Sequence, residues 1–391
     1  MSFVRPALLG LALLATLAAC DDRADAVRAS VSVAEAMSGD TVGYARATTV
    51  RPFVFPEDHG PHPDFKAEWW YVTGNLRATD GTDRRFGVQF TVFRSALAPD
   101  SVGARSSAWA TRQLHMAHIA IGDVAAGRFY HAETFDRAAA GLAGSSAEPV
   151  SAFLGTARLD QAGPLMESGA VPLRLRGDAE GAAFDLVARP LKPIVLQGDR
   201  GLSQKGPGPG NASYYYAQTR MATEGTMTLP DGEAVPVEGL TWLDREWSTS
   251  ALAPNQVGWD WFALHLDDGR DLMLYQLRQR DGRKDPLSKG SLITASGEKV
   301  GLDSGDYSLE PLATWESPLG GAYPVRWRLR VPSADLDLVV TAALEAQELD
   351  ATVRYWEGAV DVTGTATGVG FLEMTGYGDA LDGSARPTPD V

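Results

Sequence analysis

From Pro52 onward, short runs of apolar and aromatic residues alternate with Gly, Pro and Asp-Gly breaks. The runs at residues 69–73, 86–93, 115–121, 173–176, 214–219, 272–277, 325–331 and 336–341 have the length and composition of strands. Long helical periodicity is scarce, and only residues 142–144 and 343–349 leave room for brief helices. The pattern predicts an all-β protein built as a sandwich or barrel.

Two passages share one grammar. Residues 69–94 open on Trp69-Trp70-Tyr71, turn at Asp80-Gly81 and close on Phe93-Arg94. Residues 261–278 open on Trp261-Phe262, turn at Asp268-Gly269 and close on Leu277-Arg278. Each reads as an aromatic strand, an Asp-Gly hairpin and a second strand ending on arginine, which predicts a duplicated β-domain. The turn-rich stretch 230–236 is the expected boundary, giving domains at 51–232 and 233–380 with a tail at 381–391. The run Gly206-Pro207-Gly208-Pro209-Gly210 reads as a rigid loop that covers an opening or faces the other domain.

The N-terminus changes this picture. An apolar run at residues 7–17 follows Arg5 and ends in Leu17-Ala18-Ala19-Cys20, which resembles a bacterial lipobox. Residues 1–20 then read as a signal peptide, with lipid carried on Cys20, the single cysteine of the chain. Residues 21–50, rich in Ala, Ser and Asp, read as a flexible tether. Asp21 resembles a retention signal, so the expected location is the periplasmic side of the inner membrane. A net charge of −15 argues against nucleic acid and against electrostatic binding to anionic lipid.

Strand alternation sorts the candidate chemistry. It puts Glu68 with Trp70 on one face and Trp69 with Tyr71 on the other, and pairs Asp244 with Glu246 and Arg245 with Trp247. Glu68, Asp244 and Glu246 are candidate acids, because a carboxyl buried beside aromatic faces can protonate an alkene and shelter the cation. Trp69, Trp70, Tyr71, Tyr214, Tyr215, Tyr216, Trp247, Trp259 and Trp261 are candidate lining for an apolar ligand. A second reading makes Asp244-Arg245-Glu246 a buried ion-pair network fixing one barrel to the other. His59 and His62 read as hydrogen-bonded loop residues near a barrel mouth, while His115 and His118, three apart on a strand, face opposite sides and are poorly placed to share a metal. Neither metal nor cofactor is expected, and no Gly-x-Ser-x-Gly elbow or His-Glu-x-x-His motif is present.

The segments His59-Gly60-Pro61-His62, Glu68 to Leu76, His115-Met116-Ala117-His118, Asn211 to Tyr216, Trp242 to Ser248, Gly258 to Phe262 and Tyr355 to Val360 resemble, in order, the AttH-like lipocalin family. Its relatives include the carotenoid 1,2-hydratases. The resemblance implies two tandem lipocalin-like β-barrels packed together, and service to an ABC transporter of the lipoprotein-releasing or macrolide-exporter type. Two functions follow from it: a tethered carrier of a lipid or isoprenoid-like ligand, the preferred expectation, or a hydro-lyase that adds water to an isoprenoid alkene. Where the carotenoid hydratases carry an Asp-His type motif this chain has Asp244-Arg245, and arginine cannot shuttle protons.

Overall fold

In the computed structural model, residues 41–99, 110–249, 252–253 and 255–378 are described. Cys20, Asp21 and the expected signal segment lie outside them. Two antiparallel sheets make up the molecule, one of 13 and one of 10 strands. The first begins with a meander of β1 (Ala67–Ala78), β2 (Arg85–Ala96), β3 (Gln113–Asp123) and β4 (Arg128–Arg137). It continues through β5 (Ala143–Ala147), β6 (Val150–Leu154), β7 (Ala157–Gln161), β8 (Leu173–Ala179) and β9 (Ala182–Pro190). The short β10 (Val195–Leu196) and β11 (Leu202–Gln204) flank the long β12 (Ala212–Thr228), which turns into β13 (Ala234–Ser248). The second sheet opens with another meander, β14 (Gln256–Leu266), β15 (Asp271–Gln279), β16 (Lys289–Ile293) and β17 (Lys299–Asp303). Then come β18 (Ser308–Glu316), β19 (Ala322–Val331), β20 (Leu336–Ala342), β21 (Glu348–Leu349), β22 (Tyr355–Gly364) and β23 (Gly368–Thr375).

In each sheet the first strand of the meander pairs with the last strand, β1 with β13 and β14 with β23, curling the sheet toward a barrel. Helix among the described residues is confined to two 3₁₀ turns, Glu57–His59 and Pro332–Ala334. The all-β, two-barrel expectation therefore holds, and all eight predicted runs lie within strands. Both Asp-Gly hairpins form with the same turn: Gly81 and Gly269 each have φ +87°, and Asp80 and Asp268 each accept the backbone N–H two residues on. A positive φ of this size is what glycine supplies without a steric penalty. The closing arginines also have parallel duties. Arg94 pairs with Glu68 near the start of β1, and Arg278 lies 3.3 Å from Asp260 on β14.

Three expectations need correction. The stretch 230–236 holds the hairpin turn between β12 and β13 and the first residues of β13, both strands being central to the first sheet, so the change of sheet comes after Ser248 instead. Residues 143–144 begin β5, and 343–349 form bends and a strand, because their backbone bonds go to β22 (Ala343 N–H to Ala359 O, 2.8 Å) rather than along a helix. Such short segments cannot repay helix nucleation on their own. Finally, the expected tether reaches too far. Ala47 is buried, and Tyr44 donates to the Ala96 carbonyl at 3.0 Å.

Each barrel has its own apolar interior, one around Val72, Phe86, Phe90 and Leu186, the other around Phe262, Trp327, Leu338 and Leu372. A third cluster, with Tyr71, Tyr215, Trp242, Trp261, Met273 and Phe371, lies between the barrels. For that reason β1, β2, β14 and β22 are buried on both faces over most of their length, whereas β8 and β9 alternate. Polar contacts lock the interface. Asp271 takes Lys192 at 2.7 Å and Arg220 at 2.8 Å, and Asn75 donates to the Gly370 carbonyl at 2.7 Å. At Gly87 an added Cβ would lie 2.7 Å from the Cβ of Ala359, so the two walls meet there with no room for a side chain.

Candidate active site between the barrels

The β1–β13 pair is a wall shared by two environments. Cross-strand register places Glu68 beside Trp247 and Trp70 beside Arg245 on its first face; Trp69 beside Glu246 and Tyr71 beside Asp244 occupy the second.

The first face looks into the end of the first barrel, where residues 47–65 pack over it. Glu68 is fully buried and held by the guanidinium groups of Arg94 and Arg245, while the His62 backbone N–H reaches both its oxygens at 3.0 and 3.1 Å. Burial alone would raise its pKa, but Arg245, the His62 hydrogen bond and Arg94 outweigh it and hold the carboxyl well below the usual carboxylate range. The Arg245 guanidinium lies 3.9 Å from the centroid of the Trp70 ring, and His62 stacks on Trp247 at 3.8 Å. His59 accepts from the Tyr216 hydroxyl at 2.6 Å and donates to the Gly169 carbonyl at 2.8 Å.

This corrects part of the predicted site. Glu68 is a fixed counter-ion and a poor acid. Trp70, Tyr214, Tyr216 and Trp247 pack against Phe53, Phe55, His59, His62 and Arg245, so the chain's own residues fill the space expected for a ligand. Asp244 does not pair with Arg245, because adjacent strand residues point to opposite faces. The anticipated Asp244-Arg245-Glu246 network therefore does not form. Arg245 contributes instead to the interior of the first barrel.

The second face looks at the other barrel. A row across the first sheet sets Asp244, Tyr71, Thr91, His118 and Glu133 side by side on five adjacent strands. Opposite it, a row across the second sheet sets Tyr275, Trp261, Glu373 and Glu357 on four. Asp244 accepts from the Tyr215 hydroxyl and the Trp242 indole, both at 2.7 Å. Burial, opposed by those two bonds and reinforced by Glu246, leaves its carboxyl pushed up to about 8. Glu246 accepts from Ser213 and pairs with Lys205 at 3.1 Å. Glu373 accepts from the Trp259 indole at 2.6 Å, and burial carries it up to about 7.

Glu357 is fully buried and lies directly across from Glu373, a like-charge juxtaposition that disfavours ionising both. Burial first, and then Glu373, raise it well above the ordinary carboxyl range. Tyr71 donates to its Oε1, while Oε2 has no aligned hydrogen-bond partner. The partly exposed Trp69, Phe93, Trp259, Lys205 and Glu373 mark where this space reaches solvent.

Of the predicted residues, the structure thus gathers Asp244, Glu246, Trp69, Tyr71, Tyr215, Trp259 and Trp261 around the inter-barrel space. Sequence reading missed Glu357, Glu373, Tyr355, His118 and Lys205 as members of it. One signal was present: Glu357 interrupts the run Tyr355-Trp356-Glu357-Gly358-Ala359-Val360, where a carboxyl among apolar neighbours has no obvious solvent face. Among the described residues, no group of three or more His, Cys, Asp or Glu is placed to hold a metal ion.

Fold and site together define a pair of tandem lipocalin-like barrels with acidic and aromatic groups enclosed between them. The chain belongs to the AttH-like family, whose model matches residues 46–377. An AttH crystal structure from Nitrosomonas europaea is 35% identical and superposes with a TM-score of 0.74, covering 85% of this chain and 99% of that one. Kievitone hydratase of Fusarium solani subsp. phaseoli is 23% identical over 219 residues, 52% of this chain and 58% of that protein. The dehydratase asqC of Emericella nidulans is 23% identical over 190 residues, 45% of this chain and 50% of its own length. The chain therefore spans about half the length of the curated relatives it matches. The crystal structure of kievitone hydratase from Nectria haematococca, 18% identical with a TM-score of 0.62, covers 85% of this chain and 96% of that one and shares the fold.

Proposed function

We propose that the inter-barrel space is an acid–base site that adds water to, or removes it from, an apolar unsaturated molecule. The observation that carries this is the Glu357–Glu373 pair: two carboxyls side by side on neighbouring strands, enclosed by tyrosines and indoles, with no aligned hydrogen bond at Glu357 Oε2. A carboxylic acid kept neutral at physiological pH is the donor that an unactivated alkene needs. The relatives named a hydratase and a dehydratase support the same class of reaction.

In the hydration direction the Glu357 O–H bond breaks as its proton forms a C–H bond with the alkene. The carbocation left behind faces the rings of Tyr71 and Trp261, whose π electrons stabilise positive charge. Water adds to the cation and loses a proton to Glu373, which has both protonation states available near neutrality. Elimination runs through the same groups in reverse. Arg245, which lacks the shuttle capacity of histidine, lies on the other face of the wall and takes no part in these steps.

The test is incubation with acyclic isoprenoid alkenes and the corresponding tertiary alcohols in oxygen-18 water, followed by mass spectrometry. The expected result is label in the product, falling about 10²–10⁴-fold in rate with Glu357→Gln while the molecule still binds. An alkene that binds the unaltered protein and is recovered without label would overturn this reading in favour of a carrier.

A further inference from the structure

The row through Asp244 and Tyr71 does not stop at the acid. It runs outward to His118 on β3 and Glu133 on β4, and Tyr355 bridges from the second barrel. His118 donates from Nε2 to Glu133 Oε1 at 2.9 Å, which leaves Nδ1 to accept from the Tyr355 hydroxyl at 2.7 Å. Tyr355 also bears on the Glu357 carboxyl. His118 and Tyr355 are buried, whereas the Glu133 side chain is 18% exposed and is anchored by the Thr352 N–H and hydroxyl. Burial would raise the Glu133 pKa, but His118 and Thr352 outweigh it and keep the group a carboxylate. Phe93 packs edge-on to the His118 ring at 5.4 Å and Tyr355 stacks on it at 5.6 Å, fixing the imidazole between its two partners.

We propose that Tyr355, His118 and Glu133 carry protons between the buried Glu357 carboxyl and solvent at the outer edge of the first barrel. The inference rests on the acid role of Glu357 given above and adds how that acid is restored. Each hydration leaves Glu357 short of one proton and Glu373 with one extra, on groups that a bound apolar molecule shields from water. The relay clears the first half of that imbalance without using the aromatic mouth. A proton passing from Glu357 to the Tyr355 oxygen sends the Tyr355 proton to His118 Nδ1, and the His118 Nε2 proton to Glu133. Inward transfer uses the other His118 tautomer: Glu133, protonated from solvent, gives its proton to Nε2 as the Nδ1 proton passes to the Tyr355 oxygen and the Tyr355 proton to Glu357. Movement of the ring proton from Nε2 back to Nδ1 readies the relay for the next cycle. Tyr355 and His118 can each accept on one side and donate on the other, Glu133 exchanges its proton with solvent, and no electron pair or co-reactant beyond water is needed.

The test reads proton movement directly, without turnover. The carboxylic C=O stretch of a buried acid moves to lower frequency when its proton is exchanged for deuterium, and Glu357→Gln identifies the Glu357 band by removing it. After transfer into heavy water, the band should shift rapidly in the unaltered protein. It should shift about a hundred-fold more slowly in His118→Gln and Glu133→Gln, the scale on which losing a positioned proton carrier acts. Glu133→Gln keeps a partner for Thr352 at a partly exposed position, so it reads the relay even if His118→Gln fails to fold. Exchange at the unaltered rate in Glu133→Gln would overturn the relay. Slowed exchange in a protein that performs no water chemistry would leave the relay standing and remove the hydratase reading instead.

Discussion

The two sides of the β1–β13 wall hold carboxyls in opposite electrostatic states. On the face inside the first barrel, two guanidinium groups hold Glu68 ionised. On the face between the barrels, Asp244, Glu373 and Glu357 are met mainly by phenols and indoles, and their pKa values rise. Burial is common to both faces and raises every one of these groups, so the partner decides the outcome. Arginine beside a buried carboxyl makes a structural ion pair, while hydroxyl and indole donors satisfy the oxygens without forcing the charge. One wall can thereby anchor the fold on one side and border a group of raised-pKa acids on the other.

The largest effect should come from breaking the arginine face. Glu68→Ala leaves Arg94 and Arg245 buried without their counter-ion and should destabilise the protein by about 3–5 kcal/mol, read as a lower urea midpoint at constant slope. A loss under about 0.5 kcal/mol, the size expected at a surface site, would show that the pair is not enclosed. Asp244→Ala, in contrast, orphans no arginine.

A smaller effect, of distinctive sign, is expected from pH. Asp244 and Glu373 have raised folded-state pKa values, so their contribution to stability is fully present below the ordinary carboxyl range, near pH 4, and is lost as pH rises through about 7 to 8. Glu68, with its lowered value, contributes above the ordinary range and loses that contribution as pH falls. His59, His115 and His265, lowered to about 4 with burial as the leading cause, act in the same direction as Glu68, their contribution fading as pH drops below about 6.5. Chemical denaturation across this range should give a dome, and the double variant Asp244→Asn, Glu373→Gln should flatten its alkaline limb alone. Flattening of the acid limb instead would reverse the assignment of the two faces.

The smallest effect concerns a single hydroxyl. Tyr71→Phe removes one donor to Glu357 and should change stability by about 1 kcal/mol. It should also raise the pH at which the Glu357 acid band disappears, since that bond favours the ionised carboxyl. A band lost at lower pH would contradict the bond.

Much of the wall was legible in the sequence. Period-two alternation separated Glu68 and Trp70 from Trp69 and Tyr71, and the Asp-Gly hairpins ending on arginine revealed the duplication. The same alternation already forbade an ion pair between neighbours Asp244 and Arg245, yet adjacency in the chain made that pair look natural. What could not be read was which distant strand each face would meet. Glu357 acquires its meaning from Tyr71, 286 residues away, and from Glu373 across the ladder. The turn at residues 230–236 misled for a related reason: a hairpin inside a sheet and a boundary between sheets use the same residues, and only pairing with β1 tells them apart.

The close approach of Gly87 to Ala359 sets the spacing of the walls that enclose these acids. Ala359 lies on the same strand as Glu357, and the first barrel rests against it through a bare backbone. Two of the smallest residues therefore act as a shim between the walls. A methyl group at position 87 would tilt one barrel on the other and change the spacing above Tyr71, Trp261 and Glu357 together. If the space serves the proposed reaction, the dimensions of its substrate are governed at a point with no ionisable group of its own, so size selection and proton chemistry could vary independently along this chain.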